Sequence, residues 1–480
     1  MVGLEVHAQL LTQSKLFCGD STGFGEEPNT HVSPITLGHP GTLPKMNRKA
    51  IEFAVKMGLA CHCEIEKHNY FARKNYFYPD LPKGYQVSQH TTPLCKGGFV
   101  KIKTNTGEKN IQLNRIHLEE DAGKSLHPAR PAGGDVDEAN TSIDYNRAGT
   151  PLIEIVTEPD LRSSDEAYAY LTEIRKLVRY LDICDGNMEE GSLRCDANIS
   201  VRKKGEKKLG TKVEVKNLNS IRNVKRAIDA EAKRLIDILN TGGEIKQQTR
   251  SFDANAGTTF SIRDKEDADD YRYFPEPDLT PFNLQDEFIE KIRRTIPALQ
   301  EERIKKYIAE YKLSEYDAAV LTEERSFADY FEKIILNTNN YKASANWMLG
   351  PVKSWLNENN KSIDEFPVSP IQLASVVDMV ESGKLSFSIA STKLFELLLQ
   401  TPGKDPGEIA TEENLITVSD MSVIGPLVDK VLDKFAAKVI EYKKGKKGLL
   451  TLFIGEVIKQ SKGTADPGTV SKLIFEKLNK

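Results

Sequence analysis

A change in hydrophobic periodicity near residue 281 divides this chain and limits the folds open to it. Up to Pro281 the sequence consists of short segments rich in Gly, Pro and Asn, a texture typical of strands and turns. From about Asp286 onward, apolar residues recur at helical spacing. The pattern therefore predicts a strand-rich first part with some helices, followed by an all-helical half.

The length of the chain predicts more than one domain. A chain of 480 residues exceeds what a single hydrophobic core usually serves. The density of Pro and Gly in 401–407 indicates a linker between helical units. We predict three domains, at 1–287, 288–405 and 406–480.

Composition and charge restrict the classes of function. The chain is 39% hydrophobic and 28% charged, and it contains no apolar run near the roughly 20 residues that a membrane span needs. It also opens without the features of a signal peptide, so we expect a cytoplasmic protein with no membrane association and with reduced cysteines. A net charge of -4 argues against a surface that coats nucleic acid along its whole length.

Local charge differs from this average. Between Asp429 and Lys480 there are twelve Lys against six Asp or Glu, including the cluster in 443–447. Such an end can bind phosphates. A solvated lysine-rich helical surface explains the pattern equally well.

Two segments carry polar groups where strands are predicted. If Val2–Leu10 is a strand, Glu5, His7 and Gln9 share one face, and Glu5 and His7 become neighbouring ligands. A solvent-facing surface would show the same pattern. Glu154 interrupts an apolar segment that reads as a strand buried on both sides. Because an unpaired buried carboxylate costs several kcal/mol, Glu154 must meet a cation, a metal or a dense set of hydrogen bonds, or else be protonated. Arg147 is a candidate partner.

A third acidic segment contains Glu119 and Glu120. Along a continuous strand these two side chains point oppositely, one inward and one outward, with Glu120 on the face of Ile116 and Leu118. The following Gly-Lys-Ser is not a P-loop, because Leu118 stands where that motif needs glycine. Oxygen-rich ligands favour Mg²⁺ over zinc, and Mg²⁺ accompanies nucleotide phosphates, although spacing alone does not join these groups into one site.

The cysteines favour packing over metal binding. Cys61 and Cys63 resemble half of a zinc site without a second half, so we expect small packed side chains at the end of a helix. Cys195 falls on the apolar face of a predicted strand. The opposite face of that strand is polar, and the next alternating segment would extend it. This polar face could line a cleft or could simply face solvent. Its residues are Arg194, Asp196, Asn198, Ser200 and Arg202, followed by Lys212, Glu214 and Lys216 on the next segment.

Six longer motifs occur in order along the chain. They are Gly3–His7, Arg73–Asp80, His117–Lys124, Asn146–Glu154, Glu189–Asp196 and Asp270–Pro275. Together they resemble the B-subunit family of glutamyl-tRNA(Gln)/aspartyl-tRNA(Asn) amidotransferases over essentially the whole chain. The related archaeal E subunit has an extra inserted domain before its tail, for which this chain has no room.

The resemblance implies a fold and a set of site residues. The fold class is α+β, with a glutamine-synthetase-like cradle domain that combines an antiparallel sheet with helices, then an all-helical domain and a YqeY-like helical tail. The implied Mg²⁺ ligands are Glu5, His7, Glu120 and Glu154. Glu120, Glu154 and Lys74 would be catalytic, and Asn146 and Arg147 would contact ATP.

The resemblance also implies a reaction and partners. The family phosphorylates the side-chain carboxylate of Glu on tRNA(Gln), or of Asp on tRNA(Asn), with ATP, and ammonia then displaces phosphate. Because the chain has no amidase-like motif of its own, glutamine would serve as amido donor through an amidase A subunit, and a small C subunit would be the third member of a heterotrimer. The activity would be that of an ATP-dependent carbon–nitrogen ligase, with misacylated tRNA held by the helical half.

One departure and two alternatives remain. Some family members carry a four-cysteine zinc site early in the chain, but here only Cys18 stands in that region, so structural zinc is not expected. A ligase that amidates a small carboxylate is one alternative, although it would not require the basic helical tail. A non-catalytic tRNA-binding subunit with a structural metal is the other.

Overall fold

The computed structural model describes residues 1–126, 141–264, 271–418, 420–461 and 463–479. Asp270 of the last motif, and Lys462 and Lys480 of the basic end, lie outside the described residues. The chain forms two compact units, Met1–Ala298 and Leu299–Lys480. The first unit therefore extends past the predicted boundary at 287 and includes the first helix of the helical half.

The first unit contains every described strand and four helices. Its strands are β1 (Val2–Gln9), β2 (Glu64–Ile65), β3 (His68–Asn69), β4 (Ala72–Asn75), β5 (Tyr85–Ser88), β6 (Cys95–Lys96), β7 (Phe99–Thr104), β8 (Gly107–Glu120), β9 (Lys124–Leu126), β10 (Ser142–Asp144), β11 (Pro151–Thr157), β12 (Leu193–Ile199), β13 (Val213–Leu218), β14 (Gln248–Asp253), β15 (Thr258–Asp264), β16 (Phe274–Pro275) and β17 (Phe282–Asn283). Its helices are α1 (Arg48–Ala60), α2 (Ser164–Tyr180), α3 (Ile221–Asn240) and α4 (Asp286–Arg293).

One large sheet organises this unit. Its strand order is β15-β14-β13-β12-β1-β11-β8-β5-β4-β16, while β6 and β7 also pair with β8, and β2 pairs with β6. The neighbours are antiparallel except β13 and β14, which are parallel. The sheet is thus mixed, which corrects the prediction of an antiparallel sheet. The physical reason is α3, because a parallel pair needs a long crossover and α3 supplies it.

The two faces of the sheet differ in polarity. Along β1 and β12 buried and partly exposed residues alternate, with the apolar side chains buried, as the sequence predicted. Helices α1, α2 and α3 pack against these and neighbouring strands. Strand β11 is buried at all but one of its residues, which confirms the prediction of a strand covered on both sides. The polar side chains of the central strands therefore gather on the face opposite the apolar core.

The described elements of the second unit are helices, as predicted, apart from one isolated bridge between Val418 and Ala465. Its helices are α5 (Gln300–Ala309), α6 (Glu315–Leu321), α7 (Arg325–Ile335), α8 (Tyr341–Trp347), α9 (Lys353–Asn359), α10 (Pro370–Glu381), α11 (Phe387–Ile389), α12 (Phe395–Gln400), α13 (Pro406–Glu412), α14 (Met421–Lys434), α15 (Ala436–Lys443), α16 (Leu449–Gln460) and α17 (Pro467–Asn479). Two π-helical turns, Met348–Val352 and Ala390–Leu394, and one 3-10 turn, Ile363–Glu365, join some of them. No helix in the described part of the chain is both long and apolar enough to cross a membrane.

Two hydrophobic cores lie within the helical unit. The first includes Ile409 and Ala410 of α13 and extends to Leu415, and the second runs from Ile424 to Leu478. Helix α13 therefore packs with the helices before it, although the predicted linker precedes it. The three-domain division stays a prediction, and the helical cores separate after α13.

Helix α1 packs closely on the sheet. Asn47 caps its first turn by accepting a hydrogen bond from the Lys49 amide at 2.9 Å. Cys61 and Cys63 follow its last turn and are buried, which confirms their prediction as packed side chains. A Cβ atom added to Gly58 would lie 2.3 Å from Cys95 Sγ, so this glycine permits the close approach of helix and sheet.

We predict that Gly58→Ala destabilises the protein by about 1–3 kcal/mol, because Cys95 is fully buried and cannot move aside. Gly455→Ala in α16 is the matched control. Nothing lies within 4 Å of the added Cβ there, so this change should stabilise its helix by about 0.5–1 kcal/mol. Urea denaturation with hydrogen exchange in each helix measures both effects. A neutral Gly58→Ala variant would contradict the close packing.

Candidate active site

The central strands bring ionisable side chains together on the polar face of the sheet. On β1 the partly exposed positions include Glu5, His7 and Gln9, because side chains alternate along a strand. Register then sets their neighbours on adjacent strands. The facing pairs are His7 with Glu154, Glu154 with His117, Leu152 with Glu119, His7 with Arg194, and Glu5 with Asp196.

His7, Glu119 and Glu154 form a compact group, which we call the histidine–glutamate group. His7 Nε2 lies 3.6 Å from Glu119 Oε1 and 3.8 Å from Glu154 Oε2. One potential ligand atom from each residue lies within 4.8 Å of the other two. His117 borders the group, with Nε2 3.2 Å from Glu154 Oε2 and 3.7 Å from Glu119 Oε2.

Opposite charges stabilise the ionised carboxylates of this group. Burial opposes ionisation of Glu119 and Glu154, but the neighbouring imidazoles outweigh it, and both carboxyl pKa values fall below their ordinary range. Burial likewise opposes charge on His117, yet Glu154 and Glu119 raise the pKa of His117 to about 9. In the absence of a metal ion, an imidazolium therefore balances two buried carboxylates at neutral pH.

The donor set of the histidine–glutamate group fits a divalent cation. Two carboxylates supply hard oxygen ligands and His7 supplies an imidazole nitrogen, a combination that suits Mg²⁺ or Mn²⁺. A bound cation would also replace the charge that His117 now provides. The geometry thus allows cation binding without leaving the carboxylates unbalanced.

A second acidic group adjoins the first and consists of Glu5, Asp196 and Glu214. The Lys216 ammonium already balances it, 2.5 Å from Asp196 Oδ2 and 3.0 Å from Glu214 Oε1. Asn198 Nδ2 donates to Glu5 Oε1 at 2.9 Å. Burial, together with the charges of Glu154, Glu214 and Asp196, raises the pKa of Glu5. Glu5 therefore couples the two groups electrostatically.

Comparison with known proteins identifies the family. A family model described as the GatB/GatE catalytic domain matches residues 1–290, and one described as the GatB domain matches residues 329–478. The B subunit of the aspartyl/glutamyl-tRNA(Asn/Gln) amidotransferase from Geotalea daltonii is 49% identical over 478 residues, covering 100% of this chain and 98% of that protein. The chain belongs to this amidotransferase B-subunit family. The resemblance drawn from the six motifs is thereby confirmed.

Other members of the B-subunit family align equally completely. The protein of that name from Geobacter sp. strain M21 is 48% identical over 479 residues, covering 100% of this chain and 98% of that protein. The one from Thermodesulfovibrio yellowstonii is 47% identical over 476 residues, covering 99% and 98% respectively. Both acidic groups fall within the match to the family's catalytic domain.

The structure changes the set of residues predicted to converge. His7 and Glu154 lie together, but Glu119 occupies the place expected for Glu120, and Glu5 belongs to the adjacent group. Lys83 Nζ donates to both carboxylate oxygens of Glu120 at 2.6 Å. The assignment of all four residues as Mg²⁺ ligands stays a prediction, although they do not all lie in one of these groups. The reason is strand parity, because Glu119 shares a face with His117 and Glu120 points to the other side.

The burial of Glu119 and Glu120 also differs from the prediction. Glu119 and Glu120 were predicted to point one inward and one outward, but only 4% and 5% of their surfaces are exposed. The opposite face at this point of β8 is covered as well. The Val87 amide donates to Glu120 Oε1 at 2.8 Å, so the second carboxylate also has specific partners.

The predicted polar neighbours have different surroundings. Lys74 lies near the histidine–glutamate group, where burial opposes its charge but Glu119, Tyr273 and Glu154 raise its pKa. Asn146 instead binds loop backbone, accepting from the His31 amide at 2.8 Å and donating to the Glu27 carbonyl at 2.7 Å.

Arg147 is not the partner of Glu154 that the sequence suggested. Its guanidinium donates to the carbonyls of Ala122 and Gly123 at 2.9 and 2.7 Å and lies 3.6 Å from Asp121. His117 neutralises Glu154 instead. His117 and Glu154 face each other because β8 pairs with β11. The local sequence around either residue does not predict this pairing.

The early loop does not fit a four-cysteine zinc site. Cys18 Sγ lies 3.4 Å from Thr36 Oγ1, and Asp20 Oδ2 accepts hydrogen bonds from the Ser33 amide at 2.8 Å and from Thr36 Oγ1 at 2.5 Å. Hydroxyl groups are poor substitutes for the thiolates of structural zinc sites. Hydrogen bonds around Asp20 hold this loop together.

Asp121 is a site residue that the sequence analysis did not single out. Its buried carboxylate accepts from Arg194 Nη2 at 2.9 Å and from Gln9 Nε2 at 2.7 Å. Burial opposes ionisation, but Arg194 and Arg147 hold the pKa of Asp121 below its usual range. Asp121 thereby fixes two cations beside the polar face. The signal in the sequence was its place directly after Glu119 and Glu120.

We predict that Asp121→Asn destabilises the protein by about 2 kcal/mol at pH 7, because the arginines lose a buried counter-charge. A depressed carboxyl pKa stabilises the fold above about pH 4 and loses this effect as pH falls through the native value. The difference between variant and wild type should therefore shrink below pH 4. Urea denaturation across pH measures it.

The control for this prediction is Asp165→Asn, since Asp165 forms an exposed ion pair with Lys225. That variant should change stability by less than about 0.5 kcal/mol. An effect of Asp121→Asn no larger than this would contradict the role given to Asp121.

Proposed function

We propose that this chain is the ATP-dependent activating subunit of the tRNA amidotransferase, and that it uses the histidine–glutamate group to hold Mg²⁺ and nucleotide phosphates. The observation that supports this most directly is the convergence of His7, Glu119 and Glu154 within the part that matches the family's catalytic domain. A sheet whose polar face carries acidic ligands also supports a glutamine-synthetase-like cradle.

The chemistry explains why such a site is needed. A carboxylate is a poor acyl donor, because its leaving group would be oxide. In the proposed reaction a carboxylate oxygen attacks the γ-phosphorus of ATP, the bond to ADP breaks, and an acyl phosphate forms. Ammonia then attacks the acyl carbon, phosphate leaves with the C–O electron pair, and the amide nitrogen loses a proton.

Different residues of the chain would bind the metal ion, the phosphoryl group and the rim of the ATP site. A bound Mg²⁺ would offset the negative charge of phosphate and carboxylate brought together. Glu119, Glu154 and His7 would hold that ion on rigid central strands, which keeps ligand positions precise. The Lys74 ammonium would face the phosphoryl oxygens from β4, which is separated from β8 by β5. Asn146 and Arg147, bound to loop backbone, would shape the rim of the ATP site.

We propose cytoplasmic partners in keeping with the family's name. An amidase A subunit would release ammonia from glutamine, and a small C subunit would make up the rest of the heterotrimer. The substrates would be Glu-tRNA(Gln), Asp-tRNA(Asn) or both. The basic end in α14–α17 would contact tRNA phosphates, since it carries net positive charge in an otherwise acidic chain.

ATP hydrolysis that depends on Glu-tRNA(Gln), measured with partner subunits and added ammonia, tests the proposal. Amidation of the tRNA-linked glutamate supports it. Turnover with free glutamate would indicate a small-molecule ligase, and no turnover with either substrate would favour a scaffold subunit.

We predict that Glu154→Gln and Glu119→Gln each lower ATP-dependent amidation by about 100-fold or more, because several kcal/mol of charge stabilisation are lost. Affinity for tRNA should remain near wild type. Titration of activity with Mg²⁺ should show a raised Mg²⁺ requirement in both variants.

Glu120→Gln is the matched comparison for the Mg²⁺ requirement. Since Lys83 neutralises Glu120 outside the histidine–glutamate group, this variant should leave the Mg²⁺ dependence unchanged, whatever its effect on rate. A shifted Mg²⁺ requirement in Glu120→Gln, with none in Glu119→Gln, would overturn the assignment of ligands.

We predict that replacing Lys443, Lys444, Lys446 and Lys447 together by Gln weakens tRNA binding and reduces its salt dependence. Activity per bound tRNA should change little. The control removes the same charge from the first unit, at the exposed lysines Lys203, Lys204, Lys207 and Lys208. Equal losses of tRNA affinity in both variants, measured by filter binding at several salt concentrations, would argue against the tail as the tRNA contact.

A further inference from the structure

The ammonium group of Lys74 lies near the rings of two adjacent tyrosines. Lys74 Nζ lies 4.8 Å from the centroid of the Tyr271 ring and 5.6 Å from that of Tyr76. The two ring centroids are 6.0 Å apart, with their planes at 67°. Both distances fall within the range of cation–π attraction. We call Tyr76 and Tyr271 the tyrosine clamp.

Separate contacts hold the two tyrosines of the clamp, through the backbone at Tyr271 and through the side chain at Tyr76. The Tyr271 carbonyl accepts from the Asn75 amide at 3.0 Å, and Asn75 Nδ2 donates to the Arg272 carbonyl at 2.9 Å. Arg272 adopts a left-handed φ of 45°, which turns the chain toward its pairing with β4. The Tyr76 hydroxyl donates to Gln86 Oε1 at 3.3 Å. The clamp is therefore attached to the same strand as Lys74 and to β5 beside it.

In the part of the chain that the structure describes, the charge of Lys74 has no direct anionic partner. Among the described residues, no carboxylate lies within 4.0 Å of its Nζ and no acceptor takes a hydrogen bond from it, although Glu119 and Glu154 are near enough to favour its charged form. A flexible lysine beside two carboxylates would ordinarily form an ion pair with one of them. The rings offer an alternative position and leave the ammonium hydrogens available.

We propose that Tyr76 and Tyr271 are positioning residues that hold the Lys74 ammonium away from Glu119 and Glu154 and toward the anionic oxygens of the transferring phosphoryl group. The assignment of those oxygens rests on the proposed function. Without the clamp, Lys74 would move onto the carboxylates and compete there with the divalent cation. The clamp thus keeps the Lys74 ammonium on the phosphoryl oxygens and leaves Glu119 and Glu154 to the divalent cation.

Kinetics of the holoenzyme test this proposal. Tyr271→Leu should lower kcat for ATP-dependent amidation by about tenfold, with little change in KM for tRNA, because the cation–π contact is lost. Tyr271→Phe keeps the ring and should retain most of the wild-type kcat. Tyr168→Leu, at a half-exposed tyrosine of α2, controls for loss of a tyrosine elsewhere in the unit.

A double-mutant cycle separates positioning from a structural role. If Tyr271 acts through Lys74, Tyr271→Leu should lower kcat by less than about twofold in a Lys74→Met background. Equal effects in both backgrounds would overturn the proposal. So would a Tyr271→Phe variant as slow as Tyr271→Leu, because the hydroxyl would then matter and the ring would not.

Crystal structures of the same holoenzyme variants test the clamp without turnover. Lys74 Nζ should leave its place beside the two rings and approach Glu119 or Glu154 in Tyr271→Leu, and should stay beside them in Tyr271→Phe. An unmoved ammonium in Tyr271→Leu would refute the clamp, whatever the activity. A wild-type enzyme without amidation would refute the proposed function and leave this structural result to judge the clamp.

Discussion

The balance of charge between two buried carboxylates and the His117 imidazolium is the constraint on which the candidate site depends. Glu119 and Glu154 are nearly inaccessible to water, so neither could remain ionised in an apolar sheet without a neighbouring cation. His117 supplies that charge, with Nε2 3.2 Å from Glu154 Oε2 and 3.7 Å from Glu119 Oε2. Two ionised carboxylates therefore lie side by side at the centre of the sheet, where a bound divalent cation could neutralise them in place of His117.

Further pairs of opposite charge surround the histidine–glutamate group on the polar face of the sheet. Several ionisable residues on the polar face lie beside a residue of opposite charge. Lys216 balances Asp196 and Glu214 on one side, while Arg194 meets Asp121 near the other edge of the group. Lys74 differs from these cations, since aromatic rings hold it in place of a carboxylate. In the proposed account, this difference leaves the Lys74 ammonium available to an anionic substrate.

Much of this could be predicted from the sequence, and the part that could not has a physical reason. Alternation along β1 and β12 identified their polar faces, and the unbroken apolar pattern of β11 predicted its burial around Glu154. Alternation also separated Glu119 from Glu120, but which of them faces His7 depends on how β8 pairs with β11. Local patterns contain no information on that register, just as they did not show that His117 partners Glu154. The parallel pair at β13 and the inclusion of α13 in the first helical core likewise arise from tertiary packing.

The central claim is that His7, Glu119 and Glu154 bind the catalytic divalent ion. Anomalous diffraction from holoenzyme crystals soaked with MnCl₂ and a non-hydrolysable ATP analogue tests it most directly. The account predicts a manganese peak about 2.0–2.5 Å from carboxylate oxygens of Glu119 and Glu154 and from an imidazole nitrogen of His7. A peak bound by Glu120, with none at the histidine–glutamate group, would contradict it.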